Sequence, residues 1–93
     1  MSYAIYRTKV ADYARWKQEF DDDAANRQAG GSKGGKLFRD ASDPNVVVML
    51  FEWDLEKARQ CSQSDDLREK MQRAGVLEPP DIFFLEEIEQ LSS

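Results

Sequence analysis

Histidine is absent from this chain and cysteine occurs once, at Cys61. Together these absences exclude an internal disulfide, Cys/His zinc sites, Ser-His and Cys-His nucleophile pairs, and histidine ligation of haem. Long apolar runs are also missing. The longest, Val46-Val47-Val48-Met49-Leu50-Phe51, falls far short of the roughly 20 residues a membrane span needs. Basic residues are in deficit, 13 Lys+Arg against 18 Asp+Glu, giving a net charge of −5. An acidic domain is poorly suited to a phosphate backbone, so no nucleic-acid partner is expected. Met1-Ser2-Tyr3 starts no secretory signal, and the expected location is the cytoplasm, with no membrane partner.

What is present is a globular composition, 41% hydrophobic and 33% charged, over 93 residues. That length suits one domain spanning residues 1–93. A chain of this size buries only about 60 to 65% of the surface it exposes when unfolded, so cover from a partner would matter. "SYAIYRTKV" (2–10) is aromatic and β-branched and reads as a first strand. Asp12 caps a helix whose apolar stripe is Tyr13, Trp16, Phe20 and Ala24, closed by Gly30-Gly31. "KLFRD" and "VVVMLFEWD" form a hairpin across "ASDPN". Asp54 caps a helix at "LEKARQCSQ", and Ser64 with Asp65 and Asp66 starts a second piece that turns Leu67, Met71 and Ala74 inward and ends at Gly75. The expected interruption lies near Ser62 to Ser64. Pro79-Pro80 precede a fourth strand, "DIFFLEEIE".

"GGSKGGKLF" (30–38) satisfies most of the phosphate-loop pattern G-x-x-x-x-G-K-[ST], with Leu37 where the hydroxyl belongs. A phosphate loop follows a strand and opens a helix, so that backbone N–H groups point at the anion. Here the order is reversed, and the glycines read as a flexible corner that binds neither ATP nor GTP.

The order β-α-β-β-α-β specifies an α+β, ferredoxin-like fold: a four-stranded antiparallel sheet with its helices on one face. A half-exposed strand should alternate polar and apolar residues, yet "VVVMLF" and "IFFL" are apolar throughout. Both faces of these strands need cover, and the helices supply only one. A second copy packed sheet against sheet supplies the other, so the expected partner is the chain itself, as a homodimer. Strand parity assigns Ile5, Arg7, Val46, Val48, Leu50 and Glu52 to that interface. Arg7 and Glu52, its charged members, are expected to pair with each other, with backbone or with the second copy.

The segments "VADYARWKQEF", "GGSKGGKLFRDASDPNVVVMLFEWDLEKAR" and "LREKMQRAGVLEPPDIFFLE" cover nearly the whole chain. They resemble small bacterial and archaeal proteins of the dimeric α+β barrel group, related to antibiotic biosynthesis monooxygenases. The most specific pieces are "DPN" before the third strand, "EWD" at its end, and "AGV" followed by prolines. The resemblance implies a dimer formed by the sheets and a pocket in each subunit between sheet and helices. It also implies a possible ligand of small aromatic type, because cofactor-free oxygenases of the group let the substrate's own electrons activate oxygen. For such a site no metal and no cofactor are called for, and the pocket candidates are Tyr6, Thr8, Trp16, Phe20, Phe51 and Trp53. The plain alternative is an aromatic core, above all for Trp16 and Phe20 on their helical stripe.

Glu52, Glu86 and Glu87 lack the fixed spacing of an acid/base pair and read as solvated or interface carboxylates. Cys61 reads as a buried thiol. Two function classes survive: a small-molecule enzyme, such as a cofactor-independent oxygenase or isomerase on an aromatic or polyketide-like compound, and a non-catalytic ligand-binding or stress-associated homodimer. A pocket of a few hundred Å³ to which Tyr6 or Trp53 offers polar atoms would favour the first, and a closed core the second.

Overall fold

A computed structural model describes all residues from Met1 to Ser93. Its elements run β1 (Ser2–Lys9), α1 (Tyr13–Asp22), α2 (Ala24–Ala29), β2 (Gly35–Arg39), β3 (Val46–Glu52), α3 (Leu55–Ser62), α4 (Asp65–Arg73) and β4 (Asp81–Glu86). The strands form one antiparallel sheet in the order β2-β3-β1-β4, the ferredoxin-like α+β arrangement expected. No helix is long and apolar enough to cross a membrane.

Period-two alternation decides which side chains face the helices. In β1, Ala4, Tyr6 and Thr8 are buried while Arg7 and Lys9 are exposed. Register then fixes their neighbours, with Tyr6 opposite Met49 on β3 and Ile82 on β4. Met49, Phe51 and Trp53 join them; α1 contributes Trp16, α3 Ala58, and Ala74 enters the same core from the residue that caps α4. Each large apolar side chain so buried contributes about 1.5–3 kcal/mol of transfer free energy.

Local chemistry sets the helix ends. The Asp12 carboxylate accepts from the Ala14 and Arg15 N–H groups, Asp54 from Lys57, and the Ser64 hydroxyl from Leu67. The interruption expected near Ser62 to Ser64 is present, with α3 ending at Ser62 and α4 starting at Asp65. A second interruption was not anticipated. The first helical region does not run unbroken from Asp12 to Gly30; it parts at Asp23, which closes α1 and opens α2. Strands β3 and β4 also stop sooner than the expected segments "VVVMLFEWD" and "DIFFLEEIE", at Glu52 and Glu86, one residue beyond their apolar runs.

The corner at residues 30–34 joins the end of α2 to the start of β2, the reverse of a phosphate loop. Gly31 occupies a left-handed conformation at φ +103°, and Gly35 meets β3 so closely that an added Cβ would lie 1.7 Å from the Leu50 carbonyl oxygen. The second contact explains why the edge strand begins with glycine.

The far face of the sheet carries no helix. Ile5, Val48 and Leu50 lie at its centre, flanked by Phe38 on β2 and by Phe83 and Leu85 on β4. Phe83 is 53% exposed, Phe38 48% and Leu85 40%, well above what aromatic and aliphatic side chains show in a closed layer. Val46 differs from the other β3 residues assigned to this face, because it is already buried within the chain. Arg7 faces Asp81 at 3.5 Å, rather than Glu52.

Candidate functional site

Between the sheet and its helices lies an open cleft of about 120 Å³. Tyr6, Thr8, Trp16, Phe20, Phe51 and Trp53 all line it, so residues from β1, α1, β3 and the position just after β3 meet on one wall. Their rings form a connected series. Trp16 stacks on Phe20 with centroids 4.9 Å apart, Phe20 on Phe51 at 6.2 Å, and Phe51 meets Tyr6 and Trp53 edge-on at 5.9 and 5.8 Å. Such geometries are the favourable ones for aromatic quadrupoles, so the wall is stiff as well as apolar. Ring edges and faces are what it offers an occupant.

The polar tips of these side chains are already engaged. Ser62 Oγ donates to the Ala58 carbonyl at 2.8 Å, which leaves the Tyr6 hydroxyl to donate to Ser62 Oγ, also at 2.8 Å. Burial pushes the Tyr6 phenol up from its ordinary value, partly offset by that hydrogen bond. Trp53 Nε1–H donates to the Gly30 carbonyl at 3.0 Å, and Thr8 Oγ1 donates to Glu78 O at 3.4 Å. The cleft is thus smaller than the few hundred Å³ that would have marked an enzyme pocket plainly, and Tyr6 and Trp53 spend their donors on the protein itself.

Several further residues reach the cleft: Asp23, Arg27, Cys61, Leu67, Lys70 and Met71. Lys70 Nζ bonds Asp23 Oδ1 at 2.6 Å and Asp66 Oδ2 at 2.9 Å, joining α4 to the break between α1 and α2. Burial acts against the Asp23 charge, but hydrogen bonds from Lys70 and Asn26 outweigh it and hold the carboxyl below its ordinary value. The same bond to Asp23, with that to Asp66, raises Lys70. Arg15 adds a second tie, from Nη2 to the Arg73 carbonyl at 2.7 Å. Helix α4 buries no residue along its own span, so these polar ties and the inward turn of Leu67 and Met71 hold it over the cleft. Cys61 stands on the same wall with its thiol pushed up, first by burial and then by Asp23, which leaves little thiolate at neutral pH.

Arg27 is the one cation of the cleft without an ion-pair partner. Its guanidinium lies 3.8 Å from the Phe20 ring centroid and 5.6 Å from that of Phe51, and Nη1 donates to the Phe20 carbonyl at 2.7 Å. Sequence reasoning missed Arg27, Lys70 and Asp23, which look like solvated charges on amphipathic helices. The only cue was an indirect one: "NRQAGG" places Arg27 in the last turn before the corner that packs on Trp53.

No protein-family model matches the chain, and no curated protein sequence does either. Solved structures do. A provisionally assigned antibiotic biosynthesis monooxygenase from Bordetella bronchiseptica is similar with a TM-score of 0.77 at 18% identity, covering 95% of this chain and 97% of its own. SnoaB, a cofactor-independent oxygenase from Streptomyces nogalater, is similar with a TM-score of 0.76 at 16% identity, over 99% and 97% of the two chains. Rv0793 from Mycobacterium tuberculosis gives 0.70 at 12%, over 98% of each. The likeness establishes the fold, one shared with many antibiotic biosynthesis monooxygenase-family structures.

Proposed function

We propose that this protein binds a small, flat aromatic molecule in the cleft between sheet and helices. The aromatic series Trp16, Phe20, Phe51, Tyr6 and Trp53 carries the reading, because it presents ring faces and edges to an open space of about the size of one aromatic ring. The chemistry that fits this lining is oxygenation by molecular oxygen without a cofactor. In such a reaction an electron-rich ring supplies the electrons that reduce oxygen, while the protein orients the ring and keeps water away. Support comes from the shared fold of SnoaB, whose described activity is cofactor-independent oxygenation.

A non-catalytic binding role is the second reading. It is favoured by the prior engagement of Tyr6, Trp53 and Asp23 within the protein, which leaves Glu19, on α1, as the one carboxylate lining the cleft without a hydrogen-bond or ion-pair partner. Calorimetric titration with phenol, naphthol and their uncharged analogues, followed by oxygen-electrode measurements on whichever compounds bind, tests both. Binding with oxygen uptake supports the oxygenase, and binding without uptake supports the second reading. Absence of binding to every compound overturns the site.

We infer further that two copies pair through the uncovered face of the sheet. Ile5, Val48 and Leu50 form its apolar centre with Phe38, Phe83 and Leu85, and the Arg7–Asp81 pair and Glu52 supply charge at its margin. An apolar centre with a charged margin is the usual anatomy of a self-complementary interface.

A further inference from the structure

We propose that Arg27 selects an anionic oxygen on the occupant of the cleft, so that the ligands are aromatic acids or phenolates rather than neutral aromatics. The inference rests on the cleft being a binding site and adds the class of compound it takes.

Three observations carry it. First, the cleft's other cation is spent: Lys70 is bonded to both Asp23 and Asp66. Second, Arg27 has no such partner, with no carboxylate oxygen within 4.0 Å of its guanidinium, although it is half-buried against aromatic rings. A partly desolvated cation is costly without an opposite charge, and a guanidinium accepts carboxylate or phenolate oxygens through several N–H donors at once. Third, its placement is fixed. Stacking on Phe20 and the bond from Nη1 to the Phe20 carbonyl hold the guanidinium beside the aromatic wall of the cleft, leaving its other donors free to turn toward an oxygen at the edge of a bound ring. Burial pushes the guanidinium down from its ordinary value, partly offset by Asp23 and Asp21, and it stays charged at neutral pH.

An isosteric pair of ligands separates charge from shape. 4-Hydroxybenzoate and 4-hydroxybenzamide are titrated by calorimetry, with chemical-shift changes mapping the occupied surface, against the wild type, Arg27→Lys and Arg27→Met. The wild type is expected to bind the benzoate about tenfold more tightly than the benzamide, a preference that a charge-assisted hydrogen bond supplies. Arg27→Met should lose that preference while still binding the benzamide, and Arg27→Lys should keep part of it. Equal binding of the two compounds by the wild type, or an unchanged preference in Arg27→Met, would overturn the role of Arg27 and leave the cleft as a site for neutral aromatics. Binding of neither compound overturns the cleft reading and this one with it. If Arg27→Met proves unfolded by circular dichroism, the wild-type ratio and the Arg27→Lys variant decide.

Discussion

The two faces of the sheet are built from the same strands and meet different fates. On the helix side, Ala4, Tyr6, Thr8, Met49 and Phe51 are buried within the chain, and the aromatic cleft opens beside them. On the other side, Ile5, Val48 and Leu50 alternate with them residue by residue and have no cover. Strand β3 holds both outcomes in adjacent positions, with Leu50 outward and Phe51 inward. Hydrophobicity alone therefore says little about where a residue is buried. Parity says which layer it joins, and topology says whether that layer has been supplied by the chain.

Substitutions in this neighbouring pair can break the comparison. Phe51→Ala removes a ring that touches Tyr6, Phe20 and Trp53, and should cost about 3–5 kcal/mol of folding stability in urea or thermal unfolding. A cost below about 1 kcal/mol would mean that the aromatic wall is not a packed unit. Leu50→Asp, one residue away, should leave the fold intact by circular dichroism but raise the dimer dissociation constant by about a hundredfold, since it places an unpaired charge in the apolar centre. Light scattering at micromolar concentration reads the change. A monomeric wild type, or a Leu50→Asp variant that remains fully dimeric, would leave the outer face without its proposed partner.

The smallest expected effect concerns the tie between α4 and the rest of the helix layer. A double-mutant cycle with Asp23→Asn and Lys70→Met should give a coupling of up to about 1 kcal/mol, the range of partly exposed ion pairs. Its pH dependence follows from the two shifts. Asp23 is lowered, so its contribution is present above the ordinary carboxylate range and is lost as pH falls through the depressed value. Lys70 is raised, so its contribution is complete below the ordinary amine range and is lost as pH rises through the elevated value. The coupling should therefore be level across neutral pH and vanish toward both extremes. A coupling that changes between pH 6 and 8 would point to a different group, and the measurement would identify it by following stability through that interval.

Much of this architecture was legible in the residues. "SYAIYRTKV" carries its inward positions at Tyr6 and Thr8, and Ser64-Asp65-Asp66 states its own helix start through a hydroxyl cap and two acidic residues in the first turn. The break at Asp23 was not legible, because Asp21-Asp22-Asp23 suit a solvated helix surface equally well. What distinguishes Asp23 is a hydrogen bond from Lys70, 47 residues away, and no local pattern encodes that. The aromatic candidates converge on one cleft because strand parity and the helical stripe both point there. Arg27 and Lys70 arrive by tertiary placement of ordinary charged helix positions. The outer face was incomplete for the same reason: Phe83 and Leu85 join it only once β4 is known to lie beside β1, and Val46 is withdrawn from the accessible part of it by burial within the chain.

The chain contains two tryptophans, and both Trp16 and Trp53 line the cleft, at 5% and 2% exposure. No indole stands on the outer face. Tryptophan emission from the unmodified protein, excited beyond the absorption of tyrosine, is therefore a private channel for one side of the molecule: an aromatic occupant should quench it or shift its colour, while the meeting of two sheets should pass almost without a trace. Emission and scattered light, recorded on one sample, follow the two faces independently.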